Sequence, residues 1–344
     1  MGGEILVPVK DMAAALTILR EGLELKLEKI YPADDPRIAV LSGYGLRLRL
    51  DREAECSPPA IRLPIEKPSG FQAIAGLIVE FFDPDEVAEL PPVCSEFVYA
   101  PVASSGQESW VTGRAGMLYR DLIPGRQGGR FIASHIRIPD GGPVPDNVHY
   151  HQIRFQIIFC VKGWVRLVYE DQGEPFLMDA GDCVLQPPEI RHRVLECSPG
   201  LEVVEIGCPA EHPTFLDHVM ELPTGRLMPE RLYGDQHYIF TKESSASWGE
   251  RSDGSKARDL RFGWATSGLA GGQVVRASGV EQDLSHDGEF RFLFVLAGEA
   301  KLATGDGQTL ELAVNDAATL ATGERYQLIA PSLDFCFLDV TLPG

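Results

Sequence analysis

The chain has 344 residues, 44% of them hydrophobic and 24% charged, with a formal net charge of −19. It is long enough to bury the cores of two or three domains, and its negative field argues against nucleic acid and anionic membrane as partners. No apolar run reaches the roughly 18 residues of a membrane span, and seven cysteines, an odd number without a paired C-x-x-C, fit a reducing compartment. The opening MGGEILVPVK has no apolar core of signal-peptide length, so the expectation is a cytoplasmic protein.

The first predicted elements form a small mixed unit over residues 1–55. ILVPV (5–9) reads as a strand, Asp11 as the N-cap of a helix over MAAALTILREGL, and Gly22 as its stop. LKLEKIY (25–31), RIAVLSG (37–43) and GLRLRLDR (45–52) read as three more strands, the last two joined around Gly43-Tyr44-Gly45. The order is βαβββ. Residues 56–95 are rich in proline and acidic residues. AGLIVEFF (75–82) reads as one strand there and the rest as a connector over the surface.

The remaining chain contains an internal repeat. Ser109-Trp110 precedes Arg120-Asp121-Leu122 at the distance that separates Ser247-Trp248 from Arg258-Asp259-Leu260. Phe97-Val98-Tyr99 has a counterpart in Tyr238-Ile239-Phe240, and Gly163 in FCVKGWVRL has one in Gly298 of FVLAGEAKL. Nearly constant offsets, 141, 138 and 135 residues in chain order, imply a duplicated domain. Each copy is a series of short strands broken by Gly, Pro, Asn and Asp turns, the pattern of a barrel or sandwich.

Two segments of the first copy carry chemistry. VHYHQIRFQIIFCVKG (148–163) places His149 and His151 two apart, so strand alternation sends both to one face, about 6 to 7 Å apart. GDCVLQPPEIRH (181–192) adds His192 after a proline-rich turn. Together these segments resemble the two signature motifs of the cupin superfamily. His149, His151, Gln156 and Gly163 stand where the first motif has H-x-H, Glu and Gly. Gly181, Pro187, Glu189, His192 and Glu196 stand where the second has Gly, Pro, Gly, His and Asn. Only Gly142 is one residue out of step with His149.

The resemblance implies a mainly β protein with two tandem cupin barrels, at 96–220 and 237–344, joined by a connector at 221–236. It implies one divalent metal in the first barrel, held by His149, His151, Gln156 and His192, with Fe2+ first and Zn2+, Ni2+, Co2+ or Mn2+ as alternatives. In the second copy the corresponding positions are Leu284, His286, Arg291 and Tyr326, with Asn315 for Gly181 and Ala321 for Pro187. Such a set chelates poorly, so that barrel is expected to be empty of metal. Residues 1–55 resemble half of a glyoxalase, or vicinal-oxygen-chelate, unit. That family places a His on its first strand and a Glu on its last. The first strand here has no His, and Glu53 alone makes no site. The unit therefore reads as a docking or dimerisation module, with a homodimer as the expected assembly.

Three imidazoles and an amide oxygen are neutral, so the metal would keep its full charge and act strongly as a Lewis acid. Cupins with three His and one Glu include dioxygenases and oxalate oxidases. Those with three His and one Gln include polyketide cyclases and an isomerase of antibiotic biosynthesis. The resemblance thus puts a dioxygenase-like oxidoreductase acting on a small enolisable or aromatic acid first. A non-redox isomerase, cyclase or lyase is second, and a binding barrel without turnover third. Arg154 shares the strand parity of Gln156 and is a candidate to hold a substrate carboxylate. Gln186, with Glu189, Arg191 and Arg193, surrounds the turn before His192 and is a candidate to orient that ring. Cys160 and His135 read as structural, His212 and His218 as lacking ligand partners, and Trp110 and Trp248 as packing between barrels.

Overall fold

The computed structural model describes residues 3–343 except 23, 44, 57–59, 65–69, 75–76, 83–88 and 105–108. Tyr44 and the first two residues of the strand expected at 75–82 lie outside them. The chain divides into two compact units. One comprises Met1–Leu90, Asn147–Gln152 and Glu211–Met220; the other comprises Pro91–Asp146, Ile153–Ala210 and Glu221–Gly344.

The first unit begins with the expected βαβββ order. Asp11 caps the helix Met12–Thr17 by accepting the Ala14 N–H at 3.0 Å. The helix carries the chain over so that Glu4–Pro8 pairs in parallel with Leu46–Asp51. Lys26–Tyr31, Ile38–Gly43 and Leu46–Asp51 form an antiparallel meander. Leu27, Ala39, Leu41 and Leu50 close its core with Met12.

The described residues of 56–95 are not all connector. They form the strands Ala60–Pro64, Gly70–Ile74 and Leu77–Phe82. Ala60–Pro64 pairs antiparallel with Glu4–Pro8, so the edge left open by a βαβββ unit is covered. Pro64, in the stretch that suggested a loop, ends a strand instead. The opposite edge is also continued. Lys26–Tyr31 pairs with Thr214–Leu216, which pairs with His149–His151, so these two late strands join the sheet of the N-terminal segment.

The second unit holds the duplication, and its two copies exchange their first strands. One sheet runs Ile239–Thr241, Cys183–Leu185, Phe155–Lys162, Leu201–Cys208, Ile132–Ile138, Leu118–Asp121, Val111–Thr112. The other runs Val98–Ala100, Ala317–Thr319, Phe290–Ala297, Cys336–Leu342, Gly271–Arg276, Lys256–Asp259, Gly249–Glu250. The order is the same in both, but the outermost strand comes from the other copy. Cys183 faces Thr241 and Ala317 faces Ala100 at equivalent register. Boundaries at 96 and 237 therefore assign each first strand to the barrel it does not join.

Other reciprocal contacts explain the rest of the repeat. Arg120 donates to the Asn315 carbonyl at 2.7 Å, and Arg258 to the Gly181 carbonyl at 2.5 Å. Asp182 accepts the Glu243 N–H at 2.7 Å, and Asp316 the Val102 N–H at 2.6 Å. Gly163 and Gly298 have positive φ, and a Cβ at either would collide with the Ser198 or Ser332 hydroxyl. Trp110 and Trp248, expected to pack between barrels, each lie under an arginine of their own copy. Arg137 is 4.4 Å and Arg276 3.8 Å from the ring centroid.

Strand alternation sets what faces inward. Phe155, Ile157 and Phe159 join Phe290, Phe292 and Phe294 in one core shared by the copies, with Phe131 stacked on Phe290 at 4.0 Å. Cys160 and Ile158 face the first copy's own interior with Val165, Leu167, Tyr169 and Met178. A strand buried on both faces explains the nearly continuous apolar run FQIIFCV. It also places Gln156 on the interior side.

Candidate metal centre

His149 and His151 are buried at either end of their short strand, and Tyr150 between them stacks on Phe215 at 5.1 Å. His192 opens the strand His192–Cys197 and is buried as well. The ligand nitrogens of the three rings all lie within 4.8 Å of one another. Each ring uses Nδ1 on a nearby oxygen: Asn147 O at 2.8 Å for His149, Thr214 Oγ1 at 2.8 Å for His151, and Ile190 O at 2.9 Å for His192. A neutral ring that donates from Nδ1 leaves the Nε2 lone pair for a metal. Metal–nitrogen bonds of about 2.1 Å need nitrogens roughly 3.3 Å apart, inside the 4.8 Å that encloses the three. The donor set fits a divalent transition metal.

Gln186 supports this tautomer independently. Its amide Nε2 lies 3.0 Å from His192 Nε2, a contact that requires an unprotonated ring nitrogen, and 2.9 Å from Gln156 Oε1. Tyr169 donates to Gln186 Oε1 at 2.8 Å, which fixes the amide's orientation. Tyr169 also stacks on the His192 ring at 5.4 Å. Burial first, then the Glu205 charge, pushes its phenol above the ordinary range, so it stays a donor.

Gln156 is buried, and its oxygen accepts from Gln186 while its Nε2 donates to Glu205. It thus reaches His192 by way of Gln186. Of the four polar residues around the turn, Gln186 contacts the His192 ring nitrogen. Glu189 occupies the second motif's glycine position at φ 63°, which explains why glycine suits that place. Arg154 goes elsewhere. It forms an ion pair of 2.5 Å with Glu289, which Arg130 also holds at 3.1 Å. That carboxylate belongs to the second copy, so Arg154 ties the copies together.

The residues read as structural behave so. Cys160 is buried against the Gly163 carbonyl, and burial pushes its thiol up to about 12. Arg120 donates to His135 Nδ1 at 3.2 Å, so that buried ring keeps its proton on Nε2, 2.9 Å from Glu202. In the second copy His286 sits on the Leu320 carbonyl at 2.8 Å, and Arg291 pairs with Asp339 at 3.0 and 2.9 Å.

Sequence reading missed four neighbours of the site: Thr214, Tyr169, Glu205 and His212. The His212 ring is buried and lies 5.3 Å from that of His151. For Glu205 a signal existed. LEVVEIGC and FCFLDVTL each carry an acid inside an apolar strand, and Glu205 and Asp339 face Ile158 and Leu293 at equivalent register.

These features define a cupin fold in its tandem, two-barrel form, with a single three-imidazole group among the described residues. Solved structures with the same fold include protein Ylba from E. coli, of family DUF861, at TM-score 0.50 and 9% identity over 74% of this chain and 94% of that one. Oxalate decarboxylase, in a structure concerned with its substrate binding mode and specificity switch, matches at TM-score 0.50 and 11% identity over 76% and 79%. The likeness at these identities is one of fold. No family model and no curated protein matches the sequence.

Proposed function

We propose that the chain is a metal-dependent cupin enzyme, a dioxygenase-like oxidoreductase acting on a small enolisable or aromatic acid. The observation that carries this reading is the cluster of three buried imidazoles, each with Nδ1 engaged by an oxygen; at His192 a metal would take the place of the Gln186 N–H on Nε2. His149, His151 and His192 would hold the metal, with Gln156 offering its amide oxygen beside them. A divalent metal there would supply Lewis acidity and, as Fe2+, a site for oxygen chemistry. Thr214 and the Asn147 and Ile190 carbonyls hold the rings in place. Tyr169 and Gln186 fix the environment of His192. Tyr169, Phe176, Tyr238 and Phe240 form an aromatic cluster in the first copy, with Tyr169 and Tyr238 at 4.6 Å, which favours a planar unsaturated molecule over a sugar.

A second reading, a non-redox isomerase, cyclase or lyase, is favoured by the neutral donor set, which leaves the metal's charge undiminished. Metal analysis of the purified protein by plasma mass spectrometry, with oxygen uptake over a panel of enolisable and aromatic acids, separates the two. Iron with uptake supports the oxygenase. Zinc with conversion but no uptake supports the second reading, and metal without any conversion would leave a binding barrel. The segment 1–55 and its continuation to residue 90 serve, on this view, as the support of the His149–His151 strand. A homodimer is the proposed assembly.

A further inference from the structure

We propose that Glu205 is a positioning residue that decides which atom of Gln156 is presented to the metal. The inference rests on the proposed metal site. An amide can coordinate through oxygen but has no lone pair to offer from its NH2 group. The two ends of Gln156 differ little in shape, so its neighbours must choose the orientation. Glu205 is a carboxylate that accepts the Gln156 Nε2–H, and Gln186 donates to Oε1 at 2.9 Å. Both contacts select the same flip, with nitrogen toward Glu205 and oxygen toward Gln186 and His192. A carboxylate behind the amide also polarises it, making the oxygen a better donor, as carboxylates do behind ligating histidines.

The second copy is an internal control. Its equivalent carboxylate, Asp339, also holds an N–H group of the residue at the Gln156 position, here Arg291, through paired contacts of 3.0 and 2.9 Å. The acid on the last strand is kept in both copies while its partner changes from amide to guanidinium. Facing an amide, it leaves an oxygen on the far side. Facing a guanidinium, it leaves only donors, and no metal site can form.

The test uses cobalt(II) titrations of the full chain, read by visible absorption and by calorimetric Kd. Glu205→Gln should weaken cobalt binding by about 10- to 100-fold and change the ligand-field bands, because an amide can hold either end of Gln156. The exchanged pair, Gln156→Glu with Glu205→Gln, should recover affinity, since the carboxylate then stands at the ligand position with an amide behind it. Gln156→Glu alone sets two carboxylates face to face and should bind cobalt less tightly than the exchanged pair; equal affinities would show that the group behind position 156 does not position the donor. If wild type binds one cobalt and Glu205→Gln matches it in Kd and spectrum, the positioning role is refuted while the metal site stands. If wild type binds no metal, the reading of the site itself falls, and this inference with it.

Discussion

Neutralising Asp339 asks whether the second copy is closed. Asp339 and Arg291 are 2% and 8% exposed, and the guanidinium makes a paired contact with the carboxylate at 3.0 and 2.9 Å. Gln273 donates to the same carboxylate at 3.0 Å, and Arg291 Nη1 donates to the Leu284 carbonyl at 2.6 Å. Asp339→Asn keeps the shape but leaves the guanidinium buried without a counter-charge. Breaking a buried pair at one partner costs about 3–5 kcal/mol, a large share of the roughly 5–15 kcal/mol that stabilises a protein. At about 2–4 °C per kcal/mol for a large domain, the melting midpoint should fall by at least roughly 6 °C. Replacing both partners, Arg291→Met with Asp339→Leu, should recover most of that, because packed apolar pairs match buried ion pairs. Urea unfolding followed by circular dichroism, with calorimetry for the midpoint, gives both values. A loss below about 1 kcal/mol, typical of a solvated pair, would refute the closed site. So would benzoate raising the wild-type midpoint but not that of the Arg291→Met, Asp339→Leu pair. Arg291 would then be open to an organic anion.

Other outcomes follow from the same geometry. His149→Ala and His192→Ala should each abolish stoichiometric metal, while His286→Ala should leave it unchanged; metal content after dialysis checks this. The Glu202 carboxyl, hydrogen-bonded by His135 and near Arg137 and Lys162, is held down at about 2 from its usual 4.5. A depressed carboxyl stabilises the fold above its unfolded pKa and loses that contribution as pH falls from 4.5 towards 2. Glu202→Gln should therefore flatten the acid limb of the midpoint–pH curve, and parallel curves would contradict the assignment. A chain beginning at Pro91 lacks Ile30 and its strand, which pair with Thr214. Cobalt Kd should weaken as the His151 support loosens, and an unchanged Kd would show the N-terminal sheet to be dispensable.

What could be read from sequence was what obeys a short period or a fixed spacing. The H-x-H pair, the proline-bounded His192 and the Gly163/Gly298 match depend on neighbours a few residues away, so the three clustered imidazoles and the duplication were visible. The strand exchange was not. Phe97-Val98-Tyr99 and Tyr238-Ile239-Phe240 were recognisable as equivalents, but which barrel each joins depends on pairing with residues 184 and 318, far away in sequence. Arg154 failed for a related reason. Its parity pointed inward, yet a carboxylate from the other copy, Glu289, satisfies it first. Proline-rich composition misled at 60–82, where strands pair onto an open sheet edge.

The exchange bears on why a copy without metal donors persists. The second copy supplies Ile239–Thr241 to the first copy's sheet, the Arg258 guanidinium to the carbonyl of Gly181, and Phe290, Phe292 and Phe294 to the shared core. Gly181 opens the segment that ends at His192, so the second copy braces the start of the turn that presents that ligand. The exchanged strand also brings Tyr238 and Phe240 against the first copy's interior cluster, where Tyr238 meets Tyr169 at 4.6 Å and Phe240 meets Phe176 at 4.3 Å. Part of the aromatic cluster beside His192 is thus encoded in the second copy. That copy could not discard its first strand or Arg258 without opening the first copy's sheet edge and leaving the Gly181 carbonyl unpaired.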